Sequence, residues 1–183
     1  MPILLQILLI PTFVTLVVFG TRRWIGRLAG WIVAFTLLYT TLLAALVTFA
    51  VSRGNIVFEE YLVIAPGISV GLLADGLSAP TLTIVLLLCT ALSFYSIRYV
   101  EHRVETIYRA ECAHTKTRYY TLFFTLLPFF PVGFIGTILS TNLVTVYFFL
   151  EVLTIALFFL MAFFGYQDRV RVAFVSLSWG IVG

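Results

Sequence analysis

Charge is what this sequence has least of. Its 183 residues include eight acidic and eleven basic side chains, 10% of the chain, and Lys116 is the single lysine. A soluble domain carries about 25% charged residues, so an ordinary water-exposed globular fold is excluded. Cysteine is nearly missing as well. Cys89 falls inside an apolar run and Cys112 in a polar loop, a spacing that makes neither a disulfide framework nor a metal site. The sequence has no glycine-rich phosphate loop, no cluster at metal-ligand spacing and no nucleophile triad. Redox cofactors and metals are therefore not expected on this chain. Nor is nucleic acid, because the formal charge of +3 is spread over loops between apolar spans. No basic stretch precedes the first apolar run (Arg22 and Arg23 follow it), so nothing there has the form of a cleaved signal peptide.

What is there is apolar: 62% of the residues are hydrophobic and 16% aromatic. The runs are long enough to cross a bilayer, which takes ~20 predominantly apolar residues as a helix. Span one covers 2–19, with Pro11 inside it, and span two covers 30–51. The stretch 52–77 is rich in β-branched residues and is broken by Pro66-Gly67, which predicts a β-hairpin. Span three follows Asp75-Gly76-Leu77-Ser78, with Ser78 as an expected N-cap and Pro80 in the first turn, and ends near Arg98. Asp75 reads as a cap or loop contact at that helix start. A charged loop over 99–118 has room for a short amphipathic surface helix. Its His102, His114, Glu101 and Arg103 read as solvated surface groups. Span four, 119–139, contains Pro128 and Pro131, which predict a kink and freed backbone carbonyls. Span five is 142–165. The run 172–183 is too short to cross, so the chain stops inside what reads as a sixth span.

The expected fold is an all-α integral membrane protein. It is a bundle of five complete transmembrane helices plus a partial sixth, with a short extracytoplasmic β-hairpin loop. Ten of the eleven basic residues fall in the loops after spans one, three and five, and only Arg53 lies on the other side. The basic side is expected to be cytoplasmic, with the N-terminus outside.

Span five carries the chemistry. It reads NLVTVYFFLEVLTIALFFLMAFFG, with one charge, Glu151, near its middle. A carboxylate at that depth costs ~2.5–3.5 kcal/mol on insertion scales, so it must face protein or water, or be protonated. Tyr147 precedes it by four residues and Thr154 follows it by three, which places both on the same helical face. One polar stripe built around one carboxyl is the pattern of an ion-path helix. Its plainer alternative is a structural Glu hydrogen-bonded to a neighbouring helix.

The order of motifs adds a resemblance. LLADGLSAP leads into a span ending SFYSIRYVEHR, and a span ending LSTNLV leads into YFFLEVLT. Asp75-Gly76-Leu77-Ser78, Tyr95-Ser96 with Tyr99, and Asn142-Leu143 with Tyr147 and Glu151 resemble the antiporter-like membrane subunits of respiratory complex I. The nearest look is to subunit M, or chain 4. Related subunits occur in Mrp sodium/proton antiporters and membrane-bound hydrogenases. The resemblance implies a non-redox, proton-translocating subunit of an NADH:quinone oxidoreductase-like translocase, in a multi-pass prokaryotic cell membrane.

It also implies residue roles and a division of the chain. Glu151 would be a proton relay paired with an intramembrane lysine, and Tyr147 and Thr154 possible lining. Residues 1–117 would form an N-terminal three-helix region, and 118–183 the start of the proton-translocating repeat. Family members continue well beyond this length and carry intramembrane lysines and broken helices that this sequence does not contain. The implied partners are the lipid bilayer and other membrane subunits, including a chain carrying the later helices. The chain would then be a split-gene product, a truncated copy or a fragment. The alternative functions are Mrp-type exchange, a hydrogenase subunit, or a structural subunit without conduction.

Overall fold

A computed structural model describes residues 2–65, 68–110, 112–166 and 168–182. It is 80% helical. The elements are α1 (Ile3–Gly20), α2 (Arg22–Ile25), α3 (Leu28–Ser52), β1 (Val57–Ala65), β2 (Ile68–Ala74), α4 (Ser78–Ile107), α5 (Ala113–Leu126), α6 (Phe129–Leu139), α7 (Leu143–Phe164) and α8 (Arg169–Val182). Five segments are long and apolar enough to cross a membrane: α1, α3, α4, the α5–α6 unit and α7. The expected spans therefore stand as helices, and the stretch read as a partial sixth forms the shorter α8. The expected Pro66–Gly67 turn lies outside the described residues, as do Glu111 of the charged loop, Gln167 and Gly183.

The hairpin forms as expected. β1 and β2 pair antiparallel, with Val57 opposite Ala74 and Glu59 opposite Leu72. It closes one end of the bundle. Leu72 bridges to Ser140, and the Asn142 amide donates to the Ser69 carbonyl at 2.6 Å. Glu59 reaches across to α1, where its two carboxylate oxygens accept from the Leu4 and Leu5 amides at 3.0 Å each. Those amides belong to the first turn of α1, which has no side-chain cap of its own. The Tyr61 hydroxyl also donates to Glu59. Partial burial, then this bond to a carboxylate, raise the Tyr61 phenol above its ordinary pKa.

Three expectations are corrected. First, α4 does not stop near Arg98 but runs to Ile107, so half of the expected surface loop is a continuation of the span. The reason is packing: Val100 and Val104 continue the buried face of α4 at helical spacing into the cluster around Val33, Leu37 and Phe124. Second, the start of α4 is capped from Asp75. Its Oδ1 accepts from the Leu77 and Ser78 amides at 3.0 and 2.7 Å, while the Ser78 hydroxyl accepts from the Asp75 amide at 2.8 Å. Ser78 is thus the returning partner of the cap, and Asp75 fills the helix-start role. Third, only Pro128 breaks span four. It lacks the N–H that would bond the Phe124 carbonyl, and α5 ends just before it. Pro131 sits in the first turn of α6, where the lost donor matters little.

The interior forms two apolar clusters. One lies towards the hairpin (Leu4, Ile7, Leu82, Ile135), the other towards the basic loops (Val33, Val100, Tyr120, Phe124). Hydroxyl pairs join α3 to α4: the buried Thr41 to Thr90 and the half-buried Thr48 to Thr83, each at 2.8 Å. Such pairs hold helices together where water is absent. The exception among the described residues is Ser93, whose buried Oγ has no partner. At the basic end, Gly26 turns the chain from α2 to α3 with φ +52°, a conformation that favours glycine.

Candidate functional site

α7 starts at a well-made cap. The Asn142 side-chain oxygen accepts from the Thr145 amide at 2.8 Å and from its hydroxyl at 3.0 Å. From there the helix runs without a break past Glu151 to Phe164. Tyr147 and Glu151 stand one turn apart on the same face of α7, so their side chains are neighbours. Tyr147 is 59% exposed and Glu151 half-buried. Among the described residues no basic side chain pairs with Glu151; the ion pair present is Arg27 with Glu101, at the other end of the interior.

The third predicted residue, Thr154, lies one turn further along the same face. The Thr154 hydroxyl donates back to the Leu150 carbonyl at 2.9 Å, as Thr in helices commonly does. Its side chain packs on α8, where a Cβ added at Gly180 would come within 2.5 Å of Thr154 Cγ2. Phe158, one turn further, meets Phe174 of α8 edge-on at 5.2 Å. Tyr147, Glu151 and Thr154 thus share one face of α7, and Thr154 is the member that also packs on α8.

The back of α7 is fixed by close approach to α6. A Cβ at Gly133 would meet Leu153, and one at Gly136 would overlap the Phe149 ring. Two glycines a turn apart let the helices touch along their backbones. Glu151 is thus set on a rigid helix, anchored from behind and open in front.

The far end of α7 shows what the sequence did not. Arg103 donates to the Phe164 and Gly165 carbonyls at 3.3 and 2.7 Å, Arg169 to Phe163 at 3.1 Å, and the Tyr108 hydroxyl to Phe163 at 3.3 Å. These are the carbonyls that a helix C-terminus leaves unpaired, and cations suit that end. Burial raises the Tyr108 phenol, while the neighbouring Arg169 opposes the shift. Arg103 thus has a structural role, not that of a free surface charge. The spacing of Val100 and Val104 was the signal that could have placed it on a helix. His102 and His114 are exposed, as expected, and Glu101 pairs with Arg27.

No protein-family model matches the chain, and no curated protein matches it in sequence.

Proposed function

We propose that this chain is a multi-pass membrane protein and a proton-translocating subunit of a complex I-like assembly, acting through Glu151. The observation that carries the reading is the Tyr147–Glu151 pair. It is a carboxyl and a phenol one turn apart in the middle of a 22-residue apolar helix, with the phenol on an open face. A charged group at that depth is expensive and is generally retained for function. A phenol one turn away offers a hydroxyl through which a proton can pass to or from the carboxylate. The identification with complex I rests on the motif resemblance alone.

The membrane reading is supported by the distribution of charge. The hairpin lies at one end of the helices and the loops bearing most of the arginines at the other. The N-terminus lies outside in this reading. Cysteines introduced at exposed Arg109 and Glu60 test it. Impermeant reagent should reach position 60 from outside and position 109 only from the cytoplasmic side; the reverse would overturn the orientation.

The test of the site is Glu151→Gln. The amide keeps a hydrogen-bond acceptor for Tyr147 but cannot take and release a proton, so assembly is kept and pumping is strongly reduced. Glu151→Asp, one methylene shorter, is milder. Proton uptake in vesicles is normalised to assembled complex. Full assembly with pumping at the parental rate would reduce Glu151 to a packing residue.

A further inference from the structure

Where α4, the end of α7 and the start of α8 meet, Arg103, Arg169 and Arg171 line an open cleft of about 660 Å³. Asp168 is the one carboxylate on its wall, so the cleft carries an excess of positive charge. Two of the guanidiniums are held in place by neutral groups. Arg103 is fixed by the Phe164 and Gly165 carbonyls and lies 3.9 Å over the Tyr166 ring, and Arg169 is fixed by the Phe163 carbonyl. These contacts orient the forks without cancelling their charge, and each guanidinium keeps unused N–H donors. Arg171 is exposed and in no ion pair among the described residues. The start of α8 adds the partial positive end of a helix to the same field.

Planar, pre-oriented guanidiniums match the oxygens of a phosphate group. The surroundings decide which phosphate. Val172, Val175 and Trp179, at helical spacing, continue along α8 from the cleft as an exposed apolar strip. Tyr166, 70% exposed, sits at the boundary with its hydroxyl 3.1 Å from that of Tyr99, the position amphipathic rings take at a membrane interface. A soluble phosphate would use the arginines and leave the strip bare. A phospholipid uses both.

We propose that this cleft binds the phosphate of an anionic phospholipid, its acyl chains lying along α8. The proposal rests on the membrane reading above and is independent of Glu151. The full chain is reconstituted in vesicles of equal phosphatidylglycerol and phosphatidylethanolamine and extracted in mild detergent. Retained lipid is then counted by native mass spectrometry. Phosphatidylglycerol should be retained selectively by the parent. Each surface arginine near anionic lipid contributes enough that Arg171→Gln should lower retention about fivefold. Arg103→Lys, which keeps the charge but loses the fork, should lower it less. Arg53→Gln, at the opposite end, should leave it unchanged.

Retention unaltered by Arg171→Gln, or equal retention of both lipids, would overturn the proposal. So would displacement of the lipid by millimolar inorganic phosphate, which would assign the cleft to a soluble anion. Failure of the parent to float with vesicles of any composition overturns the membrane reading itself. Flotation without selectivity overturns only the cleft.

Discussion

Ten of the 25 residues of α3 are buried, against two of the 22 of α7, although the two helices are almost equally apolar. α3 lies against α1, α4 and α5, its inward threonines bonded and its small residues at close crossings. α7 is held from behind by α6 and at its end by Arg103, Arg169 and Tyr108, while Leu143, Val144, Tyr147 and Phe148 stand open. Apolar composition therefore does not say what covers a helix. Leu and Phe on an open face suit lipid; the Tyr147–Glu151 pair does not. The contrast separates a bundle that completes its own interior from a helix that presents a polar group outward.

The sharpest way to break this contrast is to truncate one aromatic in each region. Phe124, fully buried on α5 where it meets α3 and α4, should cost about 3–5 kcal/mol when changed to Ala. Phe148, 61% exposed on α7, should cost little in the isolated chain. Thermal unfolding in detergent reads both, and equal losses would mean that α7 is as integral to the core as α3. A smaller effect is expected at the hinge between the regions. Gly136→Ala would push a methyl into the Phe149 ring and should cost about 1–3 kcal/mol. An unchanged midpoint would mean that α7 can slide on α6, and the fixed placement of Glu151 would fail with it.

How much of this was legible follows the range of each interaction. Spans, hairpin and the Tyr147–Glu151 adjacency were readable because they depend on residues a few places apart. The overrun of α4 was obscured because Glu101, His102, Arg103 and Glu105 look like a loop, while the buried Val100 and Val104 among them are only two. The bond of the Thr154 hydroxyl to its own backbone was not readable, because a threonine in a helix can satisfy its hydroxyl there or on a neighbour. The Arg103 and Glu59 contacts join residues more than fifty places apart, and no local pattern announces them.

The smallest expected effect is a pH dependence at the start of α4. Hydrogen bonds from Ser78 and then Leu77 hold the Asp75 carboxyl below its ordinary value. A lowered pKa in the folded chain contributes stability above the ordinary carboxylate range, lost as pH falls towards the folded value. Because Asp75 is solvent-accessible, the contribution is slight. Asp75→Asn should flatten that acid limb of the thermal midpoint and leave the neutral value nearly unchanged; an identical acid limb in the variant would assign it to other carboxylates.

The Glu59 contact also sets an order in time. The first turn of α1 leaves the ribosome long before its acceptor does, since Leu4 and Glu59 are 55 residues apart. Until the hairpin is made, the Leu4 and Leu5 amides have only solvent to bond. A helix end in that condition can stay at the surface but is costly to bury. The packing of α1 against its neighbours is thus conditional on the synthesis and folding of the hairpin. Nascent chains released before residue 59 should have a first helix whose N-terminus remains open to exchange, and chains released after the hairpin should have one that is closed.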